Sequence, residues 1–508
     1  MNASSRAGAR GGARLGKPRC VRILMITAGS SIAANDLGVI RATGTYQESI
    51  TNLSGLNSSF SLVNFATAQI SMEDAPTIVS YGNEVVDWRT NNGTACLYIK
   101  GEVNRYVFSG VDMDGTLSSR EVIKIFAQSA GGSGQTSKSL RFQDGTCRRN
   151  GGGTGNNIFI SHGTFSGTAT TTEYEQHHEF LDWESKEATK PPPQGVNGNH
   201  GMYVESAFNL VEYCYFHNNN GNGAKFSFGT TTGFNGVKTP NDNIFRFCRV
   251  HSNQLYGLLV YGGKRNFVDL NMVWQNCTLT SALSGIAAWS GAEETYIRGN
   301  VTWDNGLAAT VNSNIGVYAR YGSETPGPIY IDGNTMFGGN GYNLSLYRDS
   351  AEMMGPVHLT NNVMRNAAVA DKLFLAGLSL TTDLDNWETI DGDPGFIDEV
   401  ARNFELQDTS PLIDIGSVQT WSLLHDIKRR NRTNGLGPDI GGYELDDSLP
   451  GILVVSMPAT HAGVKDVNVP ITMSVVDSGD RARNAYLRIT VGDLTATAIG
   501  TTVKTGGA

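Results

Sequence analysis

Six segments of this chain align with one another, although no fixed period separates them. They are NLVEYCYFHNN (209–219), NIFRFCRVHSN (243–253), NFVDLNMVWQN (266–276), TYIRGNVTWDN (295–305), IYIDGNTMFGG (329–339) and VHLTNNVMRNA (357–367). Their sixth position reads Cys214, Cys248, Asn271, Asn300, Asn334 and Asn362, at intervals of 34, 23, 29, 34 and 28 residues. Five positions later stand Asn219, Asn253, Asn276 and Asn305, then Gly339 and Ala367. Second short runs accompany them: GMYVES (201–206), GAKFSF (223–228), GLLVYG (257–262), GIAAWS (285–290), GVYARY (316–321) and NLSLYR (343–348). Constant strands separated by elastic spacers fit a coil of stacked rungs, not a sandwich or a propeller. Stacking sets equivalent residues about 4.8 Å apart, close enough for identical Asn side chains to bond up the stack. One rung cannot bury its own inner face, so such a coil is stable only as an array. Crossovers between parallel strands are right-handed. The expectation is an all-β, right-handed parallel β-helix over 36–446.

Composition agrees. The chain of 508 residues holds 61 Gly and 42 Asn, and 24 of those Asn fall in 197–366. Both residues tolerate positive φ, so their abundance reads as frequent corners. Net charge is −9, yet residues 1–35 carry six basic side chains and no acid, leaving 33 basic against 48 acidic residues beyond them. So acidic a body disfavours nucleic acid, whose phosphates call for clustered Lys and Arg. No apolar run reaches the roughly 18–20 residues of a membrane span. The basic start followed by ILMITAGSSIAAN has the layout of a secretory signal, so 1–35 is read as a signal peptide or disordered leader. The six cysteines, Cys20, Cys96, Cys147, Cys214, Cys248 and Cys277, include no CxxC pair and are expected as free buried thiols. Beyond Pro450 the ladder stops, and AYLRITVGD (485–493) has strand character. Residues 447–508 are read as a partial immunoglobulin-like or fibronectin-like module, shorter than the ~100 residues of a full sandwich.

Residues 37–445 resemble the pectate-lyase-like parallel β-helix proteins. GTYQESI (44–50) and RYVFSGVDMDG (105–115) resemble that family's opening rungs. DGDPGFIDEVARNFELQDTSPLIDIGS (391–417) and GPDIGGYE (437–444) resemble the segment that ends such helices in secreted bacterial proteins. The resemblance implies a secreted or cell-surface location. It does not name a reaction, because the architecture hosts lyases, hydrolases, epimerases and binders.

Strand alternation sorts the second runs into two faces. Met202, Val204, Ala224, Phe226, Leu258, Val260, Ile286, Ala288, Val317, Ala319, Leu344 and Leu346 are expected inward. Outward, rung by rung, come Tyr203 with Glu205, Lys225 with Ser227, Leu259 with Tyr261, Ala287 with Trp289, Tyr318 with Arg320, and Ser345 with Tyr347. Aromatic rings stack on sugar CH faces and cations meet carboxylates, so this face suits an acidic polysaccharide bound by a monomer. Glu205, Ser227, Trp289, Tyr318, Arg320 and Tyr347 are the expected substrate contacts. A further outward column, His217, His251, Trp274, Trp303, Phe337 and Arg365, brings two histidines together without a third ligand, so a stacked ladder is expected there and no metal.

Eliminating across a uronate needs a base, a group that neutralises the carboxylate, and an acid. Lys225 is the one lysine on the groove strands, and NGAKFS (222–227) resembles the Gly-x-Lys element of the calcium-dependent, lysine-base pectate lyases. The neighbouring QLYGLLVYGG lacks the Asp cluster with which those enzymes hold calcium, so no cofactor is expected, with calcium the open alternative. As a base near neutrality, Lys225 needs its pKa lowered from ~10.4. Tyr261 and Tyr203 are candidate acids, and His200 a candidate acid or base. A glycoside hydrolase is the alternative; it needs two carboxyl groups about 5–9.5 Å apart, and Asp182 or Glu184 would have to join Glu205. A non-catalytic glycan binder is the third reading.

Overall fold

The computed structural model describes residues 107–115, 121–125, 139–149, 155–161, 176–188, 199–227, 240–278, 284–306, 312–319, 326–348, 354–374, 378–432 and 437–445, and outside these chiefly backbone strands. Each rung visits three sheets in turn: in one rung Leu210–Glu212 lies in the first, Tyr215–His217 in the second and Ala224–Ser227 in the third. The sheets hold 13, 10 and 11 strands, and each of these strands pairs in parallel with its equivalent one rung away. The molecule is a right-handed parallel β-helix.

Register follows the apolar pattern, because a one-residue slip would turn every core side chain outward. Val211, Phe245, Val268, Ile297, Ile331 and Leu359 stack in one column and are fully buried. All twelve side chains expected inward on the third sheet are buried. One alignment shifts. Gly316 pairs with Ala287 and Tyr318 with Trp289 and Tyr347, so the strand Ser313–Ala319 starts earlier than GVYARY suggests. The slip is two residues, which preserves the faces but moves Tyr318 up to the position expected of Arg320.

The Asn columns are hydrogen-bonded ladders. Asn271, Asn300, Asn334 and Asn362 each donate Nδ2 to the next Oδ1, at 2.9–3.0 Å, and the ladder ends on Asn386. At its start, Cys248 donates its backbone N–H to Asn271 Oδ1. A second ladder runs Asn219, Asn253, Asn276, Asn305 and then crosses to Asn314 and Asn343. The crossing explains the Gly339 that broke the sequence column: Asn and Gly exchange places, and a Cβ on Gly339 would lie 3.3 Å from Asn314 Nδ2. A third ladder joins Asn209, Asn243 and Asn266.

The corners correct one expectation. The positive-φ positions at the sheet junctions are single residues of many kinds, among them Tyr213, Phe247, Leu270 and Gln275, while the ladder asparagines are absent from the positive-φ set. Asn abundance therefore reflects side-chain hydrogen bonding more than backbone turning. Glycine answers to close approach: a Cβ on Gly257 would sit 2.6 Å from Gly285 O and 2.8 Å from Asn276 Nδ2, and Gly201 and Gly223 meet the equivalent atoms. Gly257→Ala is expected to cost about 2 kcal/mol or more, as overpacking against backbone does, read as a lowered urea midpoint at unchanged m-value.

The closing segment folds back on the coil. Phe396–Asp398 pairs antiparallel with Asn403–Leu406. Phe396, Phe404, Leu406, Leu412, Ile440 and Tyr443 cluster with Val301, Phe337 and Val363, covering the outer face of the second sheet at the last rungs. Farther back, the Arg429 guanidinium lies 5.1 Å and 5.0 Å from the rings of Tyr213 and Phe247, and Arg298 donates to Trp421 O at 2.8 Å. In the GPDIGGYE stretch, Asp439 accepts backbone N–H groups from Asp414 and Leu445.

Of the stretch read as a leader, only the strands Arg22–Met25 and Ser30–Ile32 are described, the former pairing with Asp36–Ile40. The early GTYQESI run contributes only Ile50 to a described strand. In the tail, Val454–Ser456 pairs antiparallel with Thr472–Ser474, and Tyr486–Val491 with Leu494–Ile499. The cysteines with described side chains, Cys147, Cys214, Cys248 and Cys277, are free and buried. Among the described residues no helix is long and apolar enough to cross a membrane.

Candidate functional site

Ring geometry separates structural aromatic columns from available ones. Along the first sheet, Phe267, Tyr296 and Tyr330 stack 4.8–4.9 Å apart with planes within 12°. On the second, His217, His251, Trp274 and Trp303 stack at 4.4–5.2 Å with planes within 23°. In both columns each ring face is taken by the next ring, so only edges meet solvent. The third sheet differs: Tyr261 meets Trp289 at 78°, Trp289 meets Tyr318 at 46°, and Tyr318 meets Tyr347 at 49°. Trp289, Tyr347 and Tyr261 are half-buried there. The tilted rings pack with Tyr256, Leu259 and Ala287 into an apolar cluster, of which Tyr261, Trp289 and Tyr347 are the partly exposed members.

The histidine column also has an acid beside it. Glu184 accepts from His217 Nε2 at 2.9 Å, Lys186 Nζ at 2.9 Å and Thr146 Oγ1 at 3.2 Å, and Tyr215 pairs with His251 Nε2. His217 Nδ1 faces Asn218 Nδ2, and His251 Nδ1 faces Ser252 Oγ. Burial pushes the Glu184 carboxyl up, but the hydrogen bonds and charges of His217 and Lys186 outweigh it and hold its pKa at about 2. A network satisfied this fully is a rigidifying element. Among the described residues no three His, Cys, Asp or Glu side chains are arranged to hold a metal ion.

Lys225 occupies the third-sheet column Lys124, Phe159, Tyr203, Lys225, Leu259. Alternation explains its direction: Ala224 and Phe226 fill the core, so Lys225 points out. Its Nζ lies 5.0 Å from the Tyr203 ring centre and 5.3 Å from that of Tyr261. Burial between the rings lowers the ammonium pKa to about 8, with nearby Glu205 opposing the shift. The lowering comes from burial alone, without a neighbouring cation.

Around the lysine runs a short polar chain. Ser161 Oγ donates to Glu205 at 2.8 Å, and the Tyr203 phenol hydrogen-bonds to both Glu205 and Ser227. Burial first, then the Glu205 charge, pushes the Tyr203 phenol far up, so it stays protonated. Ser227 is 1% exposed and serves Tyr203 rather than an open face.

His200 departs from its expected role. The ring is buried, stacks on Tyr203 at 5.8 Å and 11°, and its Nδ1 accepts the Asn222 backbone N–H at 2.9 Å. Burial, and then the Lys225 charge, holds its pKa well below the ordinary histidine value. A neutral imidazole pinned through Nδ1 positions Tyr203; it is not an acid–base group in the groove.

The other expected contacts divide. Trp289 and Tyr347 lie on the groove face. Tyr318, expected beside them, is wholly buried: its ring covers Gly316, and its hydroxyl bonds Ser284 and Ser345. Arg320 lies outside the described residues. Of the carboxylates named for the hydrolase alternative, Glu184 lies on the second sheet, Glu205 follows a third-sheet strand, and Asp182 sits in a corner at φ 51°. For calcium, the oxygens about Lys225 among the described residues are one carboxylate, Glu205, and the hydroxyls of Ser161, Ser227 and Tyr203. Calcium takes about 6–8 oxygens, several of them carboxylate, so this set does not fit it. Alignment of the clear repeats missed Lys124 and Phe159, though the alternation in EVIKIF (121–126) and IFIS (158–161) carries the signal.

The fold and the lysine's surroundings define the class: a β-helix protein with a lysine set between tyrosines on the outer side of one sheet. No protein-family model matches the chain, and no curated protein matches it. Among solved structures it is similar to pectate lyase Pel9A, 13% identical over 80% of this chain and 97% of that one, TM-score 0.46. It is also similar to the A-module of mannuronan C-5 epimerase AlgE6 from Azotobacter vinelandii, 16% identical over 70% and 89%, TM-score 0.42. A PL6 family alginate lyase, AlyGC, is 14% identical over 82% and 55%, TM-score 0.45. Likeness at this level carries no activity from one chain to another.

Proposed function

We propose that the protein is a secreted or cell-surface polysaccharide lyase that cleaves an acidic, uronate-containing polysaccharide by β-elimination in the third-sheet groove. The observation that carries this reading is Lys225, an outward amine held between two tyrosine rings with its pKa lowered to about 8. A general base works best when its pKa lies near the operating pH. The neutral amine takes the proton from the carbon beside the uronate carboxylate. The new carbon–carbon double bond forms as the bond to the glycosidic oxygen breaks, and Tyr261, across the lysine from Tyr203, gives that oxygen its proton. Tyr203, kept protonated and braced by His200 and Ser227, fixes the lysine's other side. Trp289 and Tyr347 carry the chain farther along the groove. The leader and the tail module accompany this reading as export signal and accessory domain.

Incubation with a panel of uronate polymers is expected to raise absorbance in the unsaturated-product band, and a chelator is expected to leave the rate unchanged. New reducing ends without absorbance would move the protein to the hydrolases. Binding with neither product would make it a glycan binder. Complete loss of rate with chelator would overturn the metal-free chemistry.

A further inference from the structure

The groove continues past Lys225 toward the N-terminal end. In register, Lys124, Phe159, Tyr203 and Lys225 follow one another up a single outward column, so the two lysines lie three strand steps apart. At about 4.8 Å a step this is roughly 14 Å. The arrangement at the two ends is alike. Lys124 Nζ lies 5.5 Å from the Phe159 ring centre, and Lys225 Nζ lies 5.0 Å from that of Tyr203. Between them the two rings sit 5.3 Å apart and tilted by 50°, so neither closes off the other's face. An acid accompanies each lysine: Glu121 lies 3.5 Å from Lys124 Nζ, and Glu205 acts on Lys225. The stem of Lys124 is held by its strand, since Ile123 and Ile125 on either side are fully buried.

We propose that Lys124 is a carboxylate-binding position, so that the site takes a polyuronate laid over the Phe159–Tyr203 floor with one acidic group at Lys124 and the reacting uronate at Lys225. The proposal rests on the lyase reading above and adds direction to it: the charged, reacting half of the groove runs from Lys124 to Lys225, and the aromatic half from Tyr261 to Tyr347. Lys124 differs in role from Lys225 because it lies too far away to touch the reacting carbon, so its contribution appears in binding.

The test compares wild type, Lys124→Met and Lys124→Arg on a polyuronate and on the same polymer methyl-esterified. A charge-assisted contact predicts that Lys124→Met raises KM for the acidic polymer about tenfold while kcat changes less than twofold. The same variant is expected to narrow the preference for acid over ester, and Lys124→Arg to restore it. The loss should shrink as the oligomer is shortened. An unchanged KM and an unchanged acid-to-ester ratio in Lys124→Met, with its melting temperature kept, would overturn the proposal while leaving the lyase reading intact. An equal fall of kcat and kcat/KM would overturn it as well, because the residue would then act on the transition state. If wild type itself neither cleaves nor binds any polyuronate, the lyase reading fails and this proposal with it.

Discussion

Lys225→Met is expected to abolish elimination and to raise stability in the same molecule. Removing a general base costs on the order of 10²–10⁴ in kcat, and no other amine lies within the Tyr203–Tyr261 pair to replace it among the described residues. The stability gain follows from linkage. The folded pKa of about 8 lies below the ordinary lysine value of 10.5, so the unfolded chain holds this proton more tightly than the folded one. Wild-type stability is therefore reduced below pH 8, rises as pH climbs from about 8 to 10.5, and is relieved of the cost above that. The full shift corresponds to at most about 3 kcal/mol. The variant is expected to lose the alkaline rise and to unfold at a higher urea concentration at pH 7. Activity of wild type should rise about tenfold per pH unit below 8 and level off above, as the amine becomes neutral. A variant that keeps its rate, or a wild-type profile flat from pH 6 to 9, would remove Lys225 from the chemistry.

Asn300→Ala is expected to be strongly destabilising. The Asn300 side chain accepts from Asn271 N–H at 2.9 Å and Asn271 Nδ2 at 3.0 Å, and it donates to Val268 O at 2.8 Å and Asn334 Oδ1 at 2.9 Å. Truncation strands these groups where no water reaches them, since Asn271, Val268 and Asn334 are all fully buried. At roughly 1–3 kcal/mol per buried unsatisfied group, the loss should be about 3–5 kcal/mol. Asn386 closes the same ladder at a half-exposed position, where water can replace the lost bonds, and Asn386→Ala should cost about 1 kcal/mol. Equal losses at the two positions, measured by urea denaturation, would show that ladder burial is not what stabilises the rungs.

The coil was legible because its signals are local and repeated. A stack of equivalent rungs writes its inward positions, its close-approach glycines and its ladder asparagines into every repeat. The groove was legible in part for the same reason: alternation alone points Tyr203, Lys225, Tyr261, Trp289 and Tyr347 to one face. What alternation cannot convey is how far each side chain lies from its neighbours in other rungs. Tyr318 has the right parity, yet the opening left by Gly316 lets its ring fold down onto the sheet and vanish from the surface. His200 looked like a groove acid–base group, but one backbone N–H from Asn222 takes its Nδ1. Glu184, eligible by sequence to partner Glu205, is carried to another sheet by the single-residue corner at Asp182.

The sequence by itself therefore determined the scaffold and the direction in which each strand residue points, because both depend on short-range periodicity. Only the tertiary structure decided which outward residues form a site. The lowered pKa of Lys225, the pinning of His200 and the alignment of Lys124 with Lys225 arise between residues of different rungs, whose separation in the chain varies with every spacer. Desolvation and ring contact depend on distance in space, and elastic spacers leave no trace of that distance in the order of residues.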